Sequence, residues 1–199
     1  MLRPFAHILF RTGTVRKKLL RKFAENVRNK KILELGSGRV VDGEPQSVSN
    51  CFDPSNDFLR SDIRPEYGHP IIDVTKMAFN EEFDVIFCLN VLEHVFDFQT
   101  AIANIYRALR KGGSLVIVSP VFYPLHDEPG DYWRFTEHGL RRLLDGFEIR
   151  TWKHGGSPEI PFRVLLRGDK EIALGENQTC SHRTCSYTRF VRSAIRCQS

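Results

Sequence analysis

Eight residues between Glu34 and Leu92, with two histidines further on, carry the groups on which chemistry could be built. Ile32-Leu33-Glu34-Leu35 reads as a short buried strand, and Gly36-Ser37-Gly38 follows it without a spacer. Two glycines one residue apart let the backbone turn sharply and approach a ligand, because neither has a Cβ. In open α/β sheets such a turn lies outside the carboxyl end of the first strand, where nucleotide-like cofactors sit. Asp62 stands 24 residues beyond Gly38, near the roughly 20-residue offset at which an acid takes ribose hydroxyls. Asp73 closes the next apolar run, and Asn90 and Leu92 follow the strand-like Phe83–Cys88. His94 and His126 follow, and histidine is the residue type whose ring can take up and give a proton near neutral pH.

These residues need a sheet to hold them, and the chain supplies one. Phe58–Ile63, Phe83–Cys88, Leu115–Val118, Phe147–Trp152 and Phe162–Leu166 read as further strands, and Pro70–Val74 as a brief apolar run ending in another acid. Asp97 is placed to cap a helix with Phe98, Ile102, Ile105 and Leu109 on one stripe. Arg107, Arg110 and Lys111 fall in its last turn, and Gly112-Gly113 stops it. Thr136 caps a second helix with Leu140, Leu143 and Leu144 inward. The apolar runs are continuous and alternate with helices, which is the pattern of a sheet buried on both faces. The expected fold is α/β: a Rossmann-like, doubly wound, mostly parallel sheet of seven strands with helices on both faces. The stretch after Gly38 is rich in Gly, Pro, Ser, Asn and Asp and has no 3.6-residue apolar stripe, so the first crossover helix is expected to be short or missing.

The 199 residues are enough for one α/β domain. Hydrophobic content of 41% and a mean hydropathy of −0.31 describe an ordinary globular chain. No apolar run reaches the ~18 residues a spanning helix needs. The net charge of +5 sits at the ends: residues 1–31 hold ten Lys/Arg against Glu25, and 177–199 hold four Arg and no acid. The middle, 32–176, holds 15 basic and 23 acidic residues. A basic nucleic-acid groove through the core is therefore not favoured. The divisions expected are 1–29, a basic amphipathic helix; 30–167, the cofactor domain; and 168–199, a polar basic tail. The helix lies on the sheet or over the cofactor mouth; a sharper reading sets its basic face on an anionic membrane surface. The apolar run Phe5–Phe10 is shorter than a secretory core, and five cysteines without a signal peptide suggest reduced thiols, so a cytoplasmic location is expected. Cys180, His182 and Cys185 form one cluster with only Cys197 near for a fourth ligand, so no metal is expected there.

Taken together, the motifs resemble the class I S-adenosylmethionine-dependent methyltransferases, in the branch described as methyltransferase type 11-like. The resemblance runs from about Lys30 to Trp152. Glu34-Leu35-Gly36-Ser37-Gly38 is similar to the family's first motif, Phe83-Asp84-Val85-Ile86 with Leu92-Glu93-His94 to its fourth strand and exit, and Leu109–Leu115 to the turn before its fifth strand. The loop Tyr123–Thr136 resembles one found in a subset of these enzymes. The pattern is departed from at Val40, where a third glycine is usual, and in the weak first helix.

The resemblance implies S-adenosyl-L-methionine as cofactor. Gly36, Ser37 and Gly38 would pass beside its tail and ribose, Glu34 would receive its ammonium, Asp62 its ribose hydroxyls and Asp73 its adenine amino group. Asn90 and Leu92 are expected to edge the pocket. Plainer roles stand beside these: Glu34 bonded to backbone, Asp62 in a surface pair with Arg60 or Arg64, Asp73 as a loop cap. Methyl transfer from a sulfonium is a direct displacement that needs no metal; an oxygen nucleophile needs a base. His126 is the candidate base, with His94 as a structural group, although His126 bonded only to Asp127 or Glu128 is an equal reading. Tyr132, Trp133 and Arg134 could line the acceptor pocket, or Trp133 and Phe135 only anchor the loop. The leading function is methyl transfer, at oxygen, to a small-molecule or glycan-type acceptor. The alternatives are a non-catalytic relative of the fold that binds cofactor or a partner, and a nicotinamide-dependent dehydrogenase, which would need glycine where Val41 stands.

Overall fold

Each apolar run of the middle third feeds two buried faces at once, because successive strand side chains point to opposite sides. In a computed structural model that describes residues 20–41, 44–45, 47–121, 123–153 and 162–167, six strands form one sheet in the order β4-β1-β5-β6-β8-β7. These are β1 (Lys31–Leu35), β4 (Asp57–Ser61), β5 (Phe83–Leu89), β6 (Leu109–Ser119), β7 (Glu148–Lys153) and β8 (Phe162–Arg167). The first four are parallel to one another, and β8 runs antiparallel to both β6 and β7. A separate two-stranded hairpin, β2 (Val40–Val41) with β3 (Glu44–Pro45), follows the glycine turn.

On one face Leu33, Ile86, Cys88, Leu115 and Ile117 pack against the helices α2 (Phe98–Ala108) and α3 (Glu137–Leu143) through Ile102, Ile105 and Leu140. Asp97 and Thr136 cap these helices as expected, accepting from the amides of Thr100 and Gly139. On the other face Ile32, Val85, Phe87, Val116 and Val118 meet Leu20 of a helical segment, α1, described over 20–24. Here the missing crossover helix is replaced by aromatic side chains. Phe52, from the loop after the hairpin, lies 5.4 Å from Phe87, 5.5 Å from Phe58 and 6.3 Å from Phe23. Edge-on and tilted ring pairs of this kind contribute about 0.5–1.5 kcal/mol each beyond their area.

Two expectations are corrected. Of the seven strands expected, six form the sheet among the described residues, and the brief apolar run Pro70–Val74 adds only one parallel bridge, between Asp62 and Ile71. The cause is local: Asp73 accepts from the amide and hydroxyl of Thr75 and bends the chain away after that bridge. The first long helix ends at Ala108, not at Gly112. Leu109 already leaves into β6, and Arg110 meets Asp84 at 2.8 Å instead of lying in the last helical turn. The crossover after β1 is as short as expected: its one helical element is a 3-10 turn over Ser49–Cys51. Most of the expected N-terminal helix, the 168–199 tail and its Cys180–His182–Cys185 cluster lie outside the described residues. Among the described residues no helix is long and apolar enough to cross a membrane.

One buried polar tie holds α2 to the segment after Asp73. Asn104, 6% exposed, donates to the carbonyl of Val74 (2.9 Å), and its own Oδ1 accepts from Arg107, which also reaches the Met77 carbonyl. Asn104→Ala leaves a buried carbonyl without its donor and is expected to cost about 1–3 kcal/mol. Urea unfolding followed by circular dichroism measures it; a loss below ~0.5 kcal/mol means that the tie is replaced by water.

Candidate functional site

The chain leaves β1 through a turn that only glycine makes at low strain. Gly36 and Gly38 both have φ of 68°. A Cβ on Gly36 would stand 2.5 Å from Val91 Cγ2, so the valine fills the space the glycine leaves. Between them Ser37 is buried; its amide donates to the Ser61 carbonyl (2.9 Å) and its hydroxyl to Glu34. Glu34 is 2% exposed and faces inward. Its carboxylate accepts from the hydroxyls of Ser37 and Ser47 and from the Val48 amide. These bonds fasten the loop after the hairpin against the end of β1.

Outside the carboxyl ends of β1, β4 and β5 lies a cavity of about 1180 Å³. Of the residues singled out from the sequence, Gly36, Gly38, Asp62, Asp73 and Asn90 line it. Asp62 Oδ2 accepts from the Gly38 amide (2.9 Å) and Oδ1 from the Arg64 amide (3.0 Å). A carboxylate offers about four acceptor sites, so each oxygen keeps one for a ligand hydroxyl. Asp73 does cap its own turn through Thr75 and also pairs with Lys76 at 3.1 Å. Burial raises its pKa, but the Thr75 bonds and Lys76 outweigh burial and leave it below the usual carboxylate value. Asn90 takes a left-handed φ of 56°, with its amide bonded to Val118 O at 2.8 Å.

Four singled-out residues stand behind this wall. Glu34 and Ser37 brace it through the bonds just given. Leu92 is fully buried in the core, and its neighbour Val91 takes the place on the cavity side. His126 is not a lining residue; His94 is, with the two rings 4.8 Å apart and edge-on. The Nδ1–H of His94 donates to Gly130 O (2.8 Å), and that of His126 lies 3.1 Å from both Pro124 O and the Asp131 carboxylate.

The loop carrying His126 is stitched by one bidentate pair, Arg134 to Asp131 at 2.6 and 2.7 Å. Arg134 holds the Asp131 carboxyl well below the usual range, against its burial. Arg134 also donates to Tyr123 O and Pro124 O, so it braces the loop and does not line the cavity. Trp133 donates to the carbonyls of Val95 and Phe96 and packs on Phe98, and Phe135 packs on Phe98 too, so both act as anchors. Tyr132 alone of this group reaches the cavity, beside Phe96 at 5.4 Å. Leu20 and Arg21 of α1 close another side, which places the start of the described chain over the cavity mouth.

Sequence reasoning passed over Glu93. It is fully buried, and neither carboxylate oxygen has a partner of full hydrogen-bond geometry, although its own backbone amide and the buried Ser119 hydroxyl stand near enough to lower its pKa. Burial pushes its pKa up to about 7; Arg134 pulls it down and Asp131 adds to the rise. The signal was available: an acid inside the apolar run Leu89–Val95 must find a partner or stay protonated.

Residues 47–117 match the family described as a methyltransferase domain. The tRNA U34 carboxymethyltransferase of Helicobacter hepaticus is 33% identical over 86 residues, covering 42% of this chain and 27% of that protein. The chain spans only 27% to 42% of the length of the first such relatives it matches. The ubiquinone biosynthesis O-methyltransferase of Pseudomonas putida strain W619 is 28% identical over 156 residues, covering 68% of this chain and 67% of that protein. Among solved structures, the N-methyltransferase NodS of Bradyrhizobium japonicum, in complex with S-adenosyl-L-homocysteine, superposes with a TM-score of 0.60 at 18% identity over 78% of this chain and 86% of that one. Residues 47–117 thus belong to the methyltransferase domain family, and the chain around them has the fold of the class I S-adenosylmethionine-dependent methyltransferases.

Proposed function

We propose that the protein is an S-adenosyl-L-methionine-dependent methyltransferase acting on a hydroxyl of a small-molecule or glycan-type acceptor. The observation that carries this is the hairpin after the glycine turn. Among the described residues the turn runs into β2–β3 and not into a helix. A dinucleotide needs a helix N-terminus there to receive its pyrophosphate. An adenosyl sulfonium has no phosphate and needs none. It is also cationic, and the cavity wall carries Asp62, Asp73, Asp97 and Asp127 against Arg21 and Arg64.

In this reading Gly36 and Gly38 pass beside the donor's ribose and tail, Asp62 takes the ribose hydroxyls and Asp73 the adenine amino group. Asn90 edges the adenosine. Glu34, Ser37 and Leu92 act from behind by fixing the turn. The acceptor enters past the rings of Phe96 and Tyr132, which are 69% and 46% exposed. Transfer is an in-line displacement, so the protein's contribution is alignment plus removal of the acceptor's proton. The imidazole pair serves the second need, His94 on the wall and His126 behind it. The two described thiols, Cys51 and Cys88, are free, which suits a cytoplasmic enzyme. The tRNA-modifying relatives bring in an RNA acceptor as the second reading.

Isothermal titration of the full chain with S-adenosyl-L-methionine and S-adenosyl-L-homocysteine tests the donor site. Binding in the micromolar range is expected. Asp62→Ala should weaken it ten- to a hundredfold, the worth of about 1.5–3 kcal/mol for hydrogen bonds to a charged group. No binding of either compound by the wild type removes the methyltransferase reading. For the proton, His126→Ala should lower turnover about 10²–10⁴-fold and leave donor affinity unchanged; unchanged turnover takes His126 out of the mechanism. Radiolabelled methyl transfer to a panel of phenols, saccharides and unmodified tRNA decides the acceptor class, and label found only in tRNA selects the second reading.

A further inference from the structure

We propose that Glu93, His94 and His126 form a binding site for one divalent metal ion of the zinc class. One ligand atom from each lies within 4.8 Å of those of the other two. Donors around a tetrahedral zinc at 2.0–2.2 Å stand about 3.3–3.6 Å apart, so closure about an ion needs movements of roughly 1 Å.

Three observations converge on this cluster. Glu93 is fully buried, and neither carboxylate oxygen has a partner of full hydrogen-bond geometry, Ser119 and its own amide being the near groups. A buried carboxylate without a partner is costly, and a cation is one of the few groups that relieve it. The backbone holds that acid in place: Glu93 O accepts from the amides of Tyr132 (2.8 Å) and Trp133 (3.1 Å), joining the 3-10 turn Leu92–His94 to the loop. Both histidines are arranged as metal ligands usually are. His94 Nδ1–H donates to Gly130 O at 2.8 Å, and His126 Nδ1–H faces Pro124 O and Asp131 Oδ2, each at 3.1 Å. Each ring therefore keeps its Nε2 lone pair, while a carbonyl or carboxylate fixes the tautomer from behind. Asp131 is itself fixed by Arg134, which completes an outer shell around His126.

Two imidazoles and one carboxylate suit zinc, cobalt or iron(II) better than magnesium or calcium, which prefer oxygen. Three protein donors leave a coordination position for water or an acceptor oxygen. Since His94 lines the cavity, the ion would lie on the acceptor side of the donor. With an ion bound, His94 and His126 would hold it in place of serving as the base of the proposed function, and it would supply polarisation of the acceptor hydroxyl, whose proton would pass to solvent. None of its three ligands belongs to the sequence group Cys180, His182 and Cys185.

The test is titration of the chelator-treated full chain with Co²⁺, read by its visible absorption and by displacement with Zn²⁺. One equivalent should bind. Glu93→Gln and His126→Ala should each weaken binding about a hundredfold or more, and Asp131→Asn about 10–100-fold, as removal of outer-shell partners does. A double Cys180→Ser, Cys185→Ser variant should bind as the wild type does. Titration of the same samples with S-adenosyl-L-homocysteine reports folding and the donor site separately, so failure of one reading is not failure of the other. Should Glu93→Gln not fold, His126→Ala carries the test, because that side chain is 29% exposed. The proposal is overturned if the wild type binds no Co²⁺, or if binding survives His126→Ala and disappears in the cysteine variant.

Discussion

Glu34 sits at the end of the first strand with its carboxylate turned inward, where a soluble protein would normally place a hydrophobic side chain. Among the donors that reach it are the hydroxyls of Ser37 and Ser47 and the amide of Val48. Ser37 belongs to the glycine turn, and Ser47 and Val48 belong to the loop beyond the hairpin. One acid therefore joins the two segments that a crossover helix would otherwise connect. Because a buried carboxylate deprived of its donors is far less stable than one that has them, the loop cannot lift without exposing or stranding Glu34. Val48 and Phe52 then lie on the sheet, Phe52 against Phe87 and Phe58. The floor of the cavity and the second hydrophobic face depend on the same few hydrogen bonds.

The absent helix and the absent third glycine are one departure. In glycine-turn folds the last glycine of the motif allows close packing of the helix on the strand. Here Val40 begins a hairpin strand paired with Pro45, so no helix has to approach at that point and no glycine is demanded. The change removes the helix N-terminus, which is where phosphate is held, and leaves Asp62 and Asp73 on the cavity wall. What could be read as decay of the motif is a consistent alternative construction, braced by Glu34 and covered by phenylalanines.

Much of this was legible in the chain because it rests on local rules. The apolar runs mark the parallel core strands, Asp97 and Thr136 mark the helix starts, and the glycine pair with Asp62 marks the place of the cavity. Other features depend on partners far away in sequence. That Glu34 would be taken up by Ser47 and Val48 could not be read from a polar loop without periodicity. The run at Pro70–Val74 has the composition of a strand, but Asp73 bends it through Thr75 after one bridge. The apolar stripe ends on Leu109 in either a helix or a strand, so Arg110 reads as a last-turn residue when in the fold it answers Asp84. His126 carries the expected chemistry in its residue type, yet only the fold shows that His94 stands between it and the cavity.

The two sides of the cavity are built from different materials. The donor side consists of strand ends, positive-φ glycines and carboxylates tied to neighbouring amides, with Asp62 bonded to Gly38 and Arg64. Such a wall has little freedom, because moving any member breaks backbone hydrogen bonds. The acceptor side consists of one loop, Tyr123–Phe135, docked by Trp133 and stiffened internally by Asp131 and Arg134. Its contact with the sheet runs through Glu93 O and the His94 ring. The matched family segment, 47–117, includes Asp62, Asp73 and Asn90 and stops before this loop begins. It also starts after the hairpin that replaces the usual helix. Tyr132 from this loop lines the cavity from outside the matched segment, and His94 beneath it lines the cavity from within that segment.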